Sequence, residues 1–258
     1  MNYKKTVTRR RFIKVGSQLI IFPLFGTQIN SCGKLLTPQL VEWTSLVQTN
    51  DHAGEIIIDA VEGDAMVNNV SVVKGLKLKN GVTLELKTGV VFMSLPDGSV
   101  LKLSKKATVE FDVDSRKGGI IILKQGGLLA VVRKSTQKPY LIRNASALVG
   151  IKGTVFYTQV LSPEDKQQSN IPDDASDYFC ICNGIIDYLD QQWNLQKTSK
   201  GVHHMAYFLK TNGQNIDFEY AGWLLNHSDD EIYKLIETMK GEKHPTDWIQ
   251  GDSYQNDA

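Results

Sequence analysis

From residue 54 onward, apolar and polar side chains alternate in short runs, and turn residues break the runs about every ten positions. Leu76-Lys77-Leu78-Lys79, Val82-Thr83-Leu84-Glu85-Leu86-Lys87 and Thr108-Val109-Glu110-Phe111-Asp112-Val113 all follow this rule. A period of two puts each run's apolar members on one face of a strand, where a helix would need a period near 3.6. Asn80-Gly81 predicts a tight hairpin, because both central residues of a type I′ turn need positive φ. Pro96-Asp97-Gly98-Ser99 predicts a second turn, with proline presetting φ and glycine closing the bend. Lys117-Gly118-Gly119 and Gln125-Gly126-Gly127 read as further turns, and strands are expected at 140–143, 155–160, 177–182 and 185–189.

Strands that bury one face each must bring those faces together in two layers or in a rolled sheet. The expected fold is therefore mainly β over residues 54–212, as an antiparallel or rolled β-sandwich or a β-solenoid-like arrangement. Residues 163–176, rich in acids and proline, read as a surface loop. A C-terminal helical extension follows over 213–249. In it, Ser228 can cap a helix whose Asp229, Asp230 and Glu231 favour the N-terminal dipole. Ile232, Leu235, Ile236 and Met239 form its apolar stripe, and Gly241 stops it. Residues 250–258 read as a disordered tail.

The first 32 residues carry a different signal. Thr8-Arg9-Arg10-Arg11-Phe12-Ile13-Lys14 fits the twin-arginine export pattern, with Arg9, Arg10, Phe12 and Lys14 at its defining positions. The apolar stretch over 15–25 is broken by Gly16, Ser17, Gln18 and Pro23, which suits a signal rather than a permanent span. Ile29-Asn30-Ser31-Cys32-Gly33 resembles a lipobox, so Cys32 is the expected lipid acceptor and the chain an exported lipoprotein of the bacterial envelope or periplasm. Residues 33–53 read as a linker. The segment also hides a charge asymmetry: residues 1–31 hold six basic residues and no acids, so 29 less 6 leaves 23 basic against 28 acidic residues in the remainder, a net of −5. A mildly acidic body offers no basic stripe, which excludes nucleic acid as a partner. The expected partners are the twin-arginine export machinery, the membrane through the lipid, and a protein of the envelope.

Five short motifs then occur in order. They are Leu95-Pro96-Asp97-Gly98-Ser99, Gly126-Gly127-Leu128, Lys138-Pro139-Tyr140, Gly153-Thr154-Val155-Phe156 and Asn183-Gly184-Ile185-Ile186. Together with the 75–89 segment, they resemble the FecR domain, a periplasmic sensor module of iron-uptake regulators, over roughly residues 54–190. The resemblance implies structural roles for Asn80, Gly81, Asp97, Gly98, Gly153 and Thr154. A conventional member carries a cytoplasmic sigma-factor-binding domain and a membrane span ahead of this module. Neither is read in this sequence, so what carries over is the β module as a binding, sensing or scaffolding unit. Twin-arginine export resembles a route for proteins folded before export, often around a cofactor.

Cys180-Ile181-Cys182 is the sharpest local feature. On a strand both sulfurs share a face, with Cα atoms about 6.6 Å apart, near the upper limit for a disulfide. A strained disulfide, two packed free thiols, and a soft-metal site all fit this pair. His203-His204 and His227 are the candidate companions, and Asn226-His227-Ser228-Asp229 resembles an Asn-His-x-Asp helix start that accompanies a Cys-x-Cys strand and a His-His pair in relatives. Thiolate and imidazole donors would suit copper, zinc or iron. Regular strand geometry would send the rings of His203 and His204 to opposite faces, leaving at most one for the cysteines unless a loop intervenes.

There is no Gly-x-Ser-x-Gly elbow, no phosphate-cradling glycine loop and no His-Glu-x-x-His. The chain reads as a non-enzymatic envelope module. The alternative is a metal-binding or electron-transfer accessory protein built on Cys180, Cys182 and the histidines.

Overall fold

In the computed structural model the described residues are 55–114, 118–134, 140–167 and 170–237. The twin-arginine segment with Arg9, Arg10, Phe12 and Lys14, the lipobox with Cys32, the linker 33–53 and the tail 250–258 lie outside them. Among the described residues thirteen strands form one sheet. They are β1 Ile56–Val67, β2 Val70–Ser71, β3 Lys77–Leu78, β4 Thr83–Ser94, β5 Val100–Asp114, β6 Gly118–Val131, β7 Tyr140–Arg143, β8 Leu148–Ile151, β9 Val155–Val160, β10 Asp177–Leu189, β11 Leu195–Gly201, β12 Met205–Asn212 and β13 Asn215–Tyr220. Among the described residues one α-helix, α1 Asp229–Glu237, follows. Among the described residues no helix is long and apolar enough to cross a membrane.

The main path through the sheet is β13-β12-β10-β8-β7-β6-β5-β4-β1-β2. Strand β6 pairs β7 in its first half and β9 in its second, and β10 pairs β9 and β12 in its first half, then β8 and β11. These pairings close a ring, β6-β9-β10-β8-β7-β6, so the sheet rolls on itself, as the alternation requires.

The roll makes two apolar clusters, one on each face, and the period of two sorts residues between them. On β9, Phe156 belongs to the first cluster and Tyr157 to the second. On β10, Phe179 and Ile181 face the first, while Tyr178, Cys180 and Cys182 face the second. Helix α1 covers the second cluster with Ile232, Leu235 and Ile236, packing on β5 and β6. Ser228 caps it as expected, its Oγ accepting from the Glu231 N–H at 3.4 Å.

Two expectations need correction. Asn80-Gly81 does not join a hairpin of its flanking runs. Strand β4 already has β1 and β5 on its two edges, so β3 pairs with the start of β1 instead, Ile56 opposite Leu78. Gly81, at φ 75°, donates its N–H to Phe111 O at 2.8 Å across the sheet. Several runs read as separate strands are also single long ones. Gly126, at φ 77°, lies within β6 where the register to β5 shifts, and Gly89 opposes Gly63 within β4 and β1, both at positive φ. These glycines make bends and irregularities rather than chain reversals. The strands also run past 212, into β13.

The turn at Asp97 forms as read. Leu95 N–H donates to Ser99 O, and the Asp97 carboxylate accepts from the Ser99 N–H and hydroxyl, both at 2.9 Å. Gly153, at φ 87°, lies so close to Lys134 that a Cβ would come within 2.4 Å of the lysine Cα. Buried Thr154 donates its hydroxyl to Ile185 O at 3.1 Å, and Phe156 stacks on Phe179 with centroids 5.3 Å apart. The Gly-Thr-x-Phe sequence thus fastens β9 to β10 just where β10 carries its cysteines.

Candidate metal centre

Both cysteines project from the first half of β10, which is held between β9 and β12 with Cys180 opposite Tyr157 and Ala206. They are fully buried free thiols, and their Sγ atoms lie 3.9 Å apart. A disulfide needs about 2.05 Å. Of the three readings of this pair, the bonded one is therefore not the arrangement adopted.

The histidines reach the cysteines from two other segments. Gly201 ends β11 against β10, where a Cβ would sit 2.5 Å from Ile181 O, so the following turn can close tightly over the strand. His204 ends that turn in the left-handed region, at φ 44°. Its Nδ1 lies 3.5 Å from Cys180 Sγ and its Nε2 lies 2.6 Å from Asp229 Oδ1. The loop does intervene between strands, and the two rings meet edge to face rather than parting, with centroids 4.5 Å apart. His203 still does not join the cysteines. It stays half exposed, its Nε2 3.6 Å from Asp229 Oδ2.

His227 arrives on the segment between β13 and α1. Asn226 before it also takes a left-handed conformation, φ 55°, and donates from Nδ2 to Gln159 Oε1 at 2.9 Å. The imidazole stacks on Tyr157 with centroids 4.7 Å apart, and its Nδ1–H donates to Leu225 O at 2.9 Å. The other ring nitrogen, Nε2, is buried and has no hydrogen-bond partner.

One donor atom each from Cys180, Cys182, His204 and His227 all lie within 4.8 Å of one another. His203, His204 and Asp229 form a second such group, more exposed. The first set's electrostatics are those of a shared proton. Burial pushes the Cys180 thiol up, but the neighbouring Cys182, His204 and His227 outweigh it and bring it down to about 4. Burial and then the neighbouring Cys180 drive Cys182 well above its ordinary value. Burial lowers His204, but hydrogen bonds to Cys180 and Asp229 raise it more. The set therefore favours a thiolate beside an imidazolium, and a cation could replace the protons.

Sequence reasoning named all four donors but treated Asp229 as a helix-dipole acid. Its carboxylate also orients His204, a pairing across 25 residues. Tyr157, which carries the His227 ring, gave no signal beyond its place in a strand.

Residues 85–171 match the FecR protein family. That span includes the Asp97 and Gly153-Thr154 turns and ends before Cys180, so all four donors lie outside it. Two crystal structures, at 1.65 and 2.50 Å resolution, of a putative anti-sigma factor from Parabacteroides distasonis ATCC 8503 are similar in part. Each is 14% identical, with TM-scores of 0.37 and 0.39 covering 53% and 54% of this chain. The match spans 59% and 60% of those chains. No curated protein matches the sequence.

Proposed function

We propose that this protein is an exported, lipid-tethered, non-enzymatic FecR-like module of the cell envelope that holds one transition-metal ion on Cys180, Cys182, His204 and His227. The observation that carries the metal is the convergence of four donors, three of them on buried residues, from three separate segments within 4.8 Å. Four soft or borderline donors meeting by packing alone is a costly coincidence, since buried polar atoms normally find partners. The FecR match over residues 85–171 supports the module's role in binding or sensing, and the absence of catalytic motifs supports a non-enzymatic one. The twin-arginine pattern fits a protein folded around its ion before export.

Elemental analysis of protein purified from the membrane fraction tests this. One metal ion per chain is expected, lost when Cys180→Ser is made. Wild-type protein free of stoichiometric metal, purified without chelator, would overturn the reading.

A further inference from the structure

We infer that the ion is zinc(II) in a closed, mononuclear, tetrahedral site, and that it acts as the clasp fastening residues 221–237 to the sheet. This rests on the metal-binding reading above and goes on to the metal's identity and work.

Two of the separations fit a tetrahedral zinc site. With Zn–S near 2.3 Å and Zn–N near 2.0–2.1 Å, a tetrahedron places sulfurs about 3.8 Å apart and sulfur about 3.5–3.6 Å from nitrogen. The Cys180 and Cys182 sulfurs lie 3.9 Å apart, and Cys180 Sγ lies 3.5 Å from His204 Nδ1. An iron–sulfur centre with two cysteines on one iron and two histidines on the other would separate sulfur from nitrogen by two outward bonds plus the iron–iron distance. A separation of 3.5 Å is too short for that. Blue-copper centres use two histidines and one cysteine with a long axial thioether, whereas here a second thiolate stands in the set. Two thiolates also neutralise a divalent ion in a buried place. Zinc, with no redox chemistry and no geometric preference of its own, fits a full set of four ligands.

The outer ring nitrogens fix how each imidazole would bind. His204 gives its Nε2 to Asp229 Oδ1 at 2.6 Å, which leaves Nδ1 for the ion. His227 gives Nδ1–H to Leu225 O, which leaves Nε2. That Nε2 is buried and has no hydrogen-bond partner. A carboxylate or backbone carbonyl behind each ligating histidine is the arrangement that orients and strengthens metal ligands.

The clasp follows from where the ligands come from. Two sit on β10 and one ends the turn before β12, while His227 and the supporting Asp229 belong to the tail. Apart from an ion, the tail is held by the Ala221 N–H to Ala206 O at 3.0 Å, the Tyr178 hydroxyl to Trp223 O at 3.3 Å, burial of Ala221 and Leu225, and a handful of further contacts. Leu225 N–H donates to Tyr178 Oη at 3.2 Å, Asn226 reaches Gln159, Lys102 pairs with Glu231, and the nine-residue α1 buries three apolar side chains. A helix this short is not stable alone. Left-handed His204 and Asn226 add conformational cost at the two junctions, the kind of strain that surrounding bonds must hold in place. Metal-binding free energy would be delivered to the docking of this segment.

The test compares full-length mature protein as isolated, stripped with a chelator under reducing conditions, and reloaded with zinc. The readouts are zinc per chain, the visible spectrum after cobalt(II) substitution, and amide hydrogen exchange. Expected are one zinc, a tetrahedral thiolate–cobalt spectrum, and exchange over 221–237 at least tenfold faster without metal while β4–β6 hold their protection. His227→Ala in the presence of zinc should free the same segment. If that variant fails to fold, the stripped wild type still gives the answer. Stoichiometric metal with unchanged tail exchange overturns the clasp and leaves the metal-binding reading standing. Copper or iron in place of zinc overturns the identity, and no metal at all overturns the parent reading.

Discussion

Cys180 Sγ lies 3.5 Å from Nδ1 of His204, although 24 residues and the whole β11 hairpin separate them in the chain. The approach is made by a turn rather than by strand pairing. It brings a thiol and an imidazole into contact beneath a tail that supplies the second imidazole.

Asp229 supports that contact from behind. Asp229→Ala should weaken zinc affinity by about 10–100-fold, the cost typical of losing a ligand's carboxylate partner. Asp229→Asn, which keeps an acceptor oxygen, should lose less. Competition with a chromophoric chelator measures both. A purely helix-capping role would lower thermal stability and leave affinity untouched.

Buried Asp177 should make stability depend on pH. Its carboxyl is pushed up to about 6 by burial, against hydrogen bonds from Ser146 and Ala145. The folded value lies above the unfolded one, near 3.8, so the folded state binds the proton more tightly. The contribution is therefore full below the unfolded value and lost as pH rises through about 6. Over that window it amounts to about 3 kcal/mol, at about 1.4 kcal/mol per unit. Urea unfolding of wild type and Asp177→Asn between pH 4 and 7.5 should show the wild type losing about that much relative to the variant. Parallel curves would contradict it.

Two glycines separate backbone strain from space. Gly81 and Gly153 both have positive φ, but an added Cβ meets nothing at Gly81 and meets the Lys134 backbone at Gly153. Gly81→Ala should cost about 1–2 kcal/mol from φ alone. Gly153→Ala should cost clearly more, about 3 kcal/mol or above, because backbone must move. Equal losses in urea unfolding would argue against the close approach.

The N-terminal reading makes its own prediction. Arg9→Lys with Arg10→Lys should trap the protein in the cytoplasm, and Cys32→Ala should release exported protein from the membrane fraction. Fractionation and immunoblotting check both. Unchanged membrane recovery of Cys32→Ala would remove the lipid anchor from the account.

Much of the fold was legible because period two survives wherever a strand buries one face and exposes the other, as with buried Leu84 and Leu86 beside exposed Glu85 and Lys87, and because residues i and i+2 share a face in any strand. That is why Cys180 and Cys182 could be placed on one face. Strand β11 was not legible because its Gln196-Lys197-Thr198-Ser199-Lys200 run has no apolar alternation; it forms by pairing along β10. Gly126 reads as a chain reversal in the sequence because glycine at positive φ marks a reversal or an irregularity equally well. Only the partner strand decides, as Gly63 does opposite Gly89. His204 could be named but not aimed, since its direction depends on a left-handed residue closing a turn. Its bond to Asp229 is a tertiary fact that no local pattern announces.

X-ray absorption at the zinc edge of the purified protein tests the central claim most directly. The account predicts a first shell of two sulfurs near 2.3 Å and two imidazole nitrogens near 2.0–2.1 Å, with one sulfur lost in Cys182→Ser. A shell of oxygen and nitrogen alone, or one unchanged by that substitution, would contradict it.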